Sequence, residues 1–212
     1  AITSGIYADD TTHIELVRLN KGSDVLLNLL TLMTDGGGKM PRLIKYLRNI
    51  IRHPIDFLQL MWPFGKAAVT TVVLVMQTDK NYLKLDYKPR WWRFGRPSLN
   101  SILPTGMHRS PAYIPIGNET TRRLANKMDG IPLSCVPEVL INSPGTAHIL
   151  GGCCMGSTPD NGVVGSNGEV FGHPNLYVAD GSVVPANLGV NPSLTITALS
   201  EYIMSQMPDK SA

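Results

Sequence analysis

The sequence predicts an α+β protein: an antiparallel sheet with helices, followed by a long tail of turns that closes in one helix. Three observations predict it. Short alternating or β-branched apolar segments recur in the first half, "HIELVRL" at 13–19, "AAVTTVVLVMQT" at 67–78 and "NYLKLDYK" at 81–88, and such patterns belong to strands. Other segments carry apolar residues every three or four positions, the period of a helix. From about residue 143 Gly and Pro become dense and periodicity vanishes until the last segment, as in loops.

The composition excludes several classes. A chain of 212 residues with 43% hydrophobic and 17% charged residues is globular, between one and two domains in size. The net charge of +3 is mild, and no basic run is interleaved with aromatics, so no nucleic-acid partner is expected. No apolar stretch approaches the roughly 18 to 20 residues that span a bilayer. Cys135, Cys153 and Cys154 form neither a metal-ligand spacing nor a disulfide framework, and the adjacent pair is expected to pack as small apolar side chains. Residues 1–20 hold no initiator Met and no targeting pattern and read like the middle of a domain. The chain is therefore expected to be a fragment, with a cytoplasmic or peripheral membrane location favoured.

In order along the chain, residues 13–19 form a strand with Ile14 and Leu16 on one face. Asn20–Ser23 is a turn, and Ser23 caps a helix over "DVLLNLLTLM", which Gly36-Gly37-Gly38 stops. Those glycines are not a dinucleotide fingerprint, because Pro41 stands where the last Gly of G-x-G-x-x-G belongs and no strand precedes them. In residues 39–66 Lys39, Arg42, Lys45, Arg48 and Arg52 alternate with Met40, Leu43, Ile44, Leu47, Ile50 and Ile51. This is a basic amphipathic helix, followed by a break at Pro54 and a segment with Phe57, Trp62 and Phe64. It reads as a solvated face over a domain core, or as a lid or membrane-surface patch that loads an apolar substrate. Residues 67–78 predict a buried strand, with 81–88 as its hairpin partner. Residues 118–128 predict a short helix, capped by Asn118 and stopped by Gly130. The last helix opens at "GVNPSLTITAL": Gly189 permits a sharp entry, Asn191 is a favoured N-cap and Pro192 suits the first helical position. Ile196, Leu199, Ile203 and Met207 give its apolar stripe.

Two further segments bear chemistry. "SPGTAHILGGCCMG" at 143–156 holds His148 among Gly145, Ala147, Gly151 and Gly152, and "NLYVADGSVVP" at 175–185 runs from a strand into the tight Asp180-Gly181 turn. With "GVNPSLTITAL", the blocks His148-Ile-Leu-Gly151-Gly152-Cys153-Cys154-Met155-Gly156 and "NLYVADGSVVP" resemble the C-terminal part of the glucose–methanol–choline (GMC) family of FAD-dependent oxidoreductases. The Asn at 191, where another branch has a second His, resembles its cholesterol-oxidase-like branch. The likeness is specific over 143–207 and fainter before that.

The resemblance implies a substrate-binding domain over 1–142, and over 143–212 the C-terminal segment of an FAD-binding Rossmann-like domain. It implies FAD as cofactor, and an alcohol substrate such as a sterol. It places His148 and Asn191 at the reacting centre, with Asp180, Gly181, Asn191, Pro192 and Ser193 against the cofactor. Since the family's G-x-G-x-x-G turn is not in this chain, the N-terminal FAD-binding half of the same protein is an implied partner, and the fragment alone is expected to be inactive. The chemistry agrees. Oxidising an alcohol needs a group to take the hydroxyl proton, and a histidine with its ordinary pKa of about 6.5 suits that task. A reduced flavin gathers negative charge, which the positive end of a helix stabilises. The sterol-oxidase pattern also carries an acidic residue over the flavin, for which Asp24 and Glu15 are the candidates. A non-catalytic lipid- or membrane-binding module is the alternative from another class, resting on residues 39–64, and a dehydrogenase passing electrons to a carrier is the alternative within the enzymes.

Overall fold

A computed structural model describes residues 2–146 and 148–208. The chain divides into two compact units, Ala1–Gln77 with Ser110–Gly145, and Thr78–Arg109 with Thr146–Ala212. Helices and small antiparallel sheets make up both, an α+β content.

The first unit is organised by a three-stranded antiparallel sheet in the order β1 (Ile2–Tyr7), β2 (Thr12–Arg18), β4 (Thr71–Gln77). The turn between β1 and β2 is held by Asp9, whose Oδ1 accepts the backbone N–H of Thr11 at 2.9 Å and its hydroxyl at 3.0 Å. β2 is central, and Thr12, Ile14 and Glu15 on it are buried. β4 pairs with β2, Ile14 facing Val75, and not with residues 81–88. The expected buried strand is an edge strand instead: β4 pairs along its whole length with β2, and every one of its residues is half-buried.

A second departure lies between Asp24 and Met33. Only α1 (Asp24–Leu27) is helical there, and Ser23 makes no side-chain cap. Leu30–Leu32 is instead strand β3, paired with β7 (Leu133–Cys135). Three residues of a leucine-rich segment pass from helix to strand because a partner a hundred residues away supplies the hydrogen bonds, and tertiary context overrides helix propensity. Strand β4 is also shorter than the apolar run, since Lys66–Val69 forms a turn of helix, α4. Asp24 caps it, accepting the N–H of Gly65 at 2.9 Å and of Ala67 at 2.7 Å.

The amphipathic segment folds as α2 (Arg42–Arg52) and α3 (Pro54–Met61), broken at Pro54 as its sequence requires. It does not lay its apolar side on a core. No residue of α2 is buried, and Leu43, Ile44, Leu47 and Ile51 are exposed, Ile51 at 79%. The polar side turns inward instead. Arg42 donates from Nε to the Thr34 carbonyl at 2.8 Å, and from one terminal nitrogen to those of Ala112 at 3.1 Å and Glu138 at 2.5 Å. Lys45 Nζ bonds the Gly37 carbonyl at 2.5 Å, Asn49 that of Met33 at 3.0 Å, and Tyr46 shares its hydroxyl with Thr31 at 2.7 Å. The loop over 33–37 makes few ladder bonds, so its carbonyls need donors, and α2 supplies them.

Helix α5 (Pro115–Lys127) begins three residues before the expected Asn118 cap, which is already inside it, with Pro115 in its first turn. The side chain of Asn118 donates to Asp35 at 2.8 Å. Gly117 lets α5 approach β4, since a Cβ there would lie 2.9 Å from Val75 Cγ2. After β7, α6 (Val136–Leu140) completes this unit.

In the second unit β5 (Lys84–Pro89) finds its partner in β6 (Pro97–Ile102). The rest is a tail of turns around a small core in which Val164, Val183 and Ile203 are fully buried, with Met155, Val170, Tyr177, Leu199 and Met207 packed on them. Ile203 and Leu199 come from α7 (Ser193–Gln206), so its predicted stripe does face a core.

Candidate functional site

The residues singled out from the tail all lie in the second unit, where two backbone arrangements carry them. Residues 149–155 lie beside 181–183: the amides of Gly151, Cys153 and Met155 donate to the carbonyls of Gly181, Ser182 and Val183 at 3.2, 3.0 and 3.0 Å. This fixes the chain that follows His148. Gly181 is buried, and a Cβ on it would sit 3.1 Å from the Ile149 carbonyl. Asp180 begins a turn of 3-10 helix over Gly181–Val183 by accepting the Ser182 amide at 2.8 Å and its hydroxyl at 2.5 Å. The Ser182 hydroxyl, followed by its amide, holds the Asp180 carboxyl below its ordinary pKa, so it stays charged.

The second arrangement is the entry to α7, built from two side-chain turns in succession. Asn187 Oδ1 accepts the amide of Gly189 at 2.9 Å, and Asn191 Oδ1 accepts that of Ser193 at 3.1 Å. Such Asx turns are what asparagine offers ahead of a helix. Gly189 is needed on two grounds: its φ is +68°, and a Cβ would come 2.2 Å from Thr78 Oγ1. The helix starts one residue later than Asn191 alone suggests. Pro192 occupies the cap, buried, and its carbonyl takes the Ile196 amide at 2.8 Å. Asn191 keeps its capping task from one position back.

These arrangements meet at Ser193. Its hydroxyl lies 2.7 Å from Asn191 Oδ1 and 3.1 Å from His148 Nε2. Because Asn191 Oδ1 accepts both the amide and the hydroxyl of Ser193, the Ser193 proton is committed to Asn191. Its oxygen is then left to accept from His148, which sets the Nε2–H tautomer and leaves Nδ1 as the acceptor nitrogen. His148 and Ser193 are both exposed. The structure thus joins His148, Ser193 and Asn191 and sets them at the N-terminal end of a 14-residue helix, where free N–H groups and the helix dipole favour negative charge. The Asp180 carboxylate accepts from Ser182, through its amide and its hydroxyl. The bridging role of the Ser193 hydroxyl goes beyond the expected placement against the cofactor; the Asn-Pro-Ser spacing, which sets its amide and hydroxyl two residues after an asparagine, is the signal for it.

The two candidate carboxylates differ sharply. Both oxygens of Asp24 are occupied by the α4 amides, which hold it below its ordinary pKa, the Ala67 amide most and then that of Gly65. Glu15 is 6% exposed on β2, its Oε1 stands 3.6 Å from His13 Nδ1, and its Oε2 has no hydrogen-bond partner. The remaining histidines have carboxylate neighbours or none: His108 meets Asp79 at 2.9 Å and His53 meets Asp56 at 3.5 Å. Among the described residues no group of His, Cys, Asp and Glu is arranged to hold a metal, and the three cysteines are free.

Comparison with known proteins places these residues within a recognised sequence family. Residues 123–200 match the family model described as GMC oxidoreductase, in its C-terminal domain. The chain is 43% identical over 211 residues to a cholesterol oxidase of Acinetobacter baumannii, covering 99% of this chain and 37% of that protein. It is 40% identical over 223 residues to a cholesterol oxidase of Mycobacterium tuberculosis, covering 99% of this chain and 36% of that protein. A long-chain-alcohol oxidase of Arabidopsis thaliana is 41% identical over 64 residues, 30% of this chain and 9% of that protein. The chain therefore spans little more than a third of the length of its cholesterol oxidase relatives. It carries a GMC oxidoreductase C-terminal domain, in a sequence similar to cholesterol oxidases over nearly all of its length.

Proposed function

We propose that the polypeptide containing this chain oxidises the CH–OH group of an alcohol, with a sterol as the favoured substrate, and that FAD is its cofactor. The observation that carries the reading is the bridge His148–Ser193–Asn191 at the start of α7, inside the residues that resemble the GMC oxidoreductases.

The donor set suits one end of FAD. A flavin ring that gains negative charge asks for N–H donors and a positive helix end; the start of α7 offers that end beside Asn191, Pro192 and Ser193, with the donors coming from the first-turn amides after Ser193, whose own amide Asn191 takes. Asp180 and Gly181 would hold the cofactor from the preceding turn. The diphosphate end asks for a glycine loop that turns its amides outward ahead of a helix. Gly36–Gly38 does not fit, since Lys45 Nζ binds the carbonyls of Gly36 and Gly37 and Pro41 has no N–H. The N-terminal FAD-binding half of the same protein is therefore proposed to complete the cofactor site, with residues 143–212 as the last segment of its Rossmann-like domain and 1–142 as part of the substrate-binding domain.

Bound there, FAD supplies the acceptor for the hydride that leaves the alcohol carbon. The protein's part is the proton and the charge. His148 takes the hydroxyl proton on its acceptor nitrogen, an acid–base task worth typically 10² to 10⁴ in rate. Asn191 holds Ser193, and Ser193 fixes the ring of His148 so that the acceptor nitrogen is constant in direction. Of the two candidate carboxylates, Asp24 already holds α4 and Glu15 keeps one buried oxygen without a partner. The intact protein is expected to show a flavin spectrum that bleaches when a secondary alcohol such as a sterol is added without air. A colourless protein, or a flavin that no alcohol reduces, overturns the reading.

A further inference from the structure

The elbow between Val184 and α7 is neither helix nor strand, yet it decides where Asn191 and Ser193 stand. Asn191 precedes Pro192, which narrows the backbone conformations open to it. The Ser193 hydroxyl lies 3.1 Å from His148 Nε2, across 45 residues of sequence that do not by themselves enforce the bond. Whatever fixes the elbow therefore fixes the bridge.

Two contacts tie the elbow to residues 78–79 of the same compact unit. At the first, Gly189 is buried so close to Thr78 that a Cβ on it would come 2.2 Å from the threonine Oγ1. At the second, Asn187 Nδ2 donates to the Asp79 carbonyl at 3.4 Å, while its Oδ1 accepts the Gly189 amide at 2.9 Å. Asp79 is itself held from another side. Its Oδ2 stands 2.9 Å from His108 Nε2, and the Asn81 side chain donates to the His108 carbonyl. Asn187 thus serves both contacts: its oxygen closes the turn at Gly189, and its nitrogen grips Asp79. Asparagine suits this because one short group carries an acceptor and a donor, whereas aspartate keeps the first and lacks the second. These bonds run inside one unit of the chain and need no free surface.

We propose that Asn187 is a positioning residue for His148: it ties the elbow to Thr78 and Asp79, which sets Asn191 and Ser193 within reach of the imidazole and keeps the ring proton on Nε2. Asn187 acts through Ser193 and has no contact of its own with the reacting atoms. Its effect on rate rests on the reading of His148 as the proton acceptor; its effect on the ring does not.

The test uses the intact protein labelled with 15N-histidine. At about pH 8, where an ordinary imidazole is neutral, the ring nitrogens of His148, assigned with a His148→Gln variant, report the tautomer with or without flavin. The parent is expected to hold the Nε2–H tautomer, and Asn187→Ala to show a mixture of both. Asn187→Asp, which keeps the turn and loses the grip on Asp79, should fall between them. Asn100→Ala removes side-chain bonds from the β5–β6 hairpin of the same unit and should match the parent, as the control for general loosening. Thermal melts check that every variant folds. In stopped-flow flavin reduction, Asn187→Ala should lower the limiting rate by about threefold to fivefold, the worth of roughly one hydrogen bond, with the half-saturating alcohol concentration unchanged. Combined with Ser193→Ala it should cost nothing further, because the two act in series. An Asn187→Ala protein with the parent's tautomer overturns the proposal, and so does a rate loss that adds to that of Ser193→Ala or that Asn100→Ala reproduces. Asn187→Asp identical to the parent overturns the tie to Asp79, and a parent with both tautomers already mixed leaves no bridge to position and overturns the whole. If no alcohol reduces the flavin, the oxidation reading fails, and the tautomer comparison still decides the role of Asn187.

Discussion

Helices α2 and α7 are both amphipathic by sequence, and they use that property in opposite ways. In α7 the apolar stripe is structural: Ile203 is fully buried against Val164 and Val183, and the polar end faces outward with Ser193 beside His148. In α2 the polar stripe is structural, since Arg42, Lys45 and Asn49 satisfy the carbonyls of an irregular loop, and the apolar stripe is left exposed. The difference teaches that periodicity names two faces without saying which one turns inward. What decides is the neighbouring surface. Beside α7 lie the side chains Val164, Val183 and Met155, and apolar burial wins. Beside α2 lie backbone carbonyls that would otherwise go unpaired, at a cost of about 1–3 kcal/mol each.

The contrast breaks or survives on a pair of truncations. Ile203→Ala is expected to cost about 2–5 kcal/mol, the range for a fully buried isoleucine. Ile51→Ala, on the exposed stripe, should stay within about 0.5 kcal/mol of the parent. Urea melts of both variants provide the measurement, and equal losses would mean that the stripe of α2 packs on something. Next in size is Arg42→Ala, which removes donors from three carbonyls and is expected to cost about 1–3 kcal/mol in the same melts. A neutral result would deny α2 its structural polar face.

The smallest effects concern pH around the inward face of α2. Burial pushes the Asp35 carboxyl up, but the Arg122 and Asn118 hydrogen bonds outweigh it and leave Asp35 below its ordinary 3.8. The stability it lends is present above that value and is lost as pH falls through the lower, folded one. Glu138 is opposite: burial raises its carboxyl above the ordinary 4.5, against the pull of the Cys135 amide and Arg42. Its contribution is full below that value and fades as pH rises through the folded one. Melts across pH should therefore show Asp35→Asn flattening the acid arm and Glu138→Gln flattening the decline on the other side. Curves parallel to the parent would contradict both assignments.

Much of this was legible in the sequence where the signal is local. Strand β2, the Pro54 break, the stripe of α7 and the Gly189–Pro192 elbow all depend on near neighbours, and each is present with small shifts of boundary. Strand β3 was not legible, since Leu30–Leu32 becomes a strand only beside Leu133–Cys135. The same holds for β4, which chose β2 over the adjacent 81–88, and for β6, whose "PSLNSI" has little β-branched character. At the site, His148 and Asn191 were picked out as residue types in matching blocks. The link between them was not, because Ser193 acts through a side chain that reaches 45 residues back.

That link is the centre of the account and has a direct test. Flavin reduction by the alcohol, followed by stopped flow in the intact protein, is compared for the parent, His148→Ala and Ser193→Ala. His148→Ala is predicted to slow it by about 10² to 10⁴, with flavin content unchanged. Ser193→Ala should slow it by roughly fivefold, the worth of about 1 kcal/mol for one hydrogen bond, and leave His148 in place. A His148→Ala protein that retains its flavin and reduces at the parental rate would contradict the account.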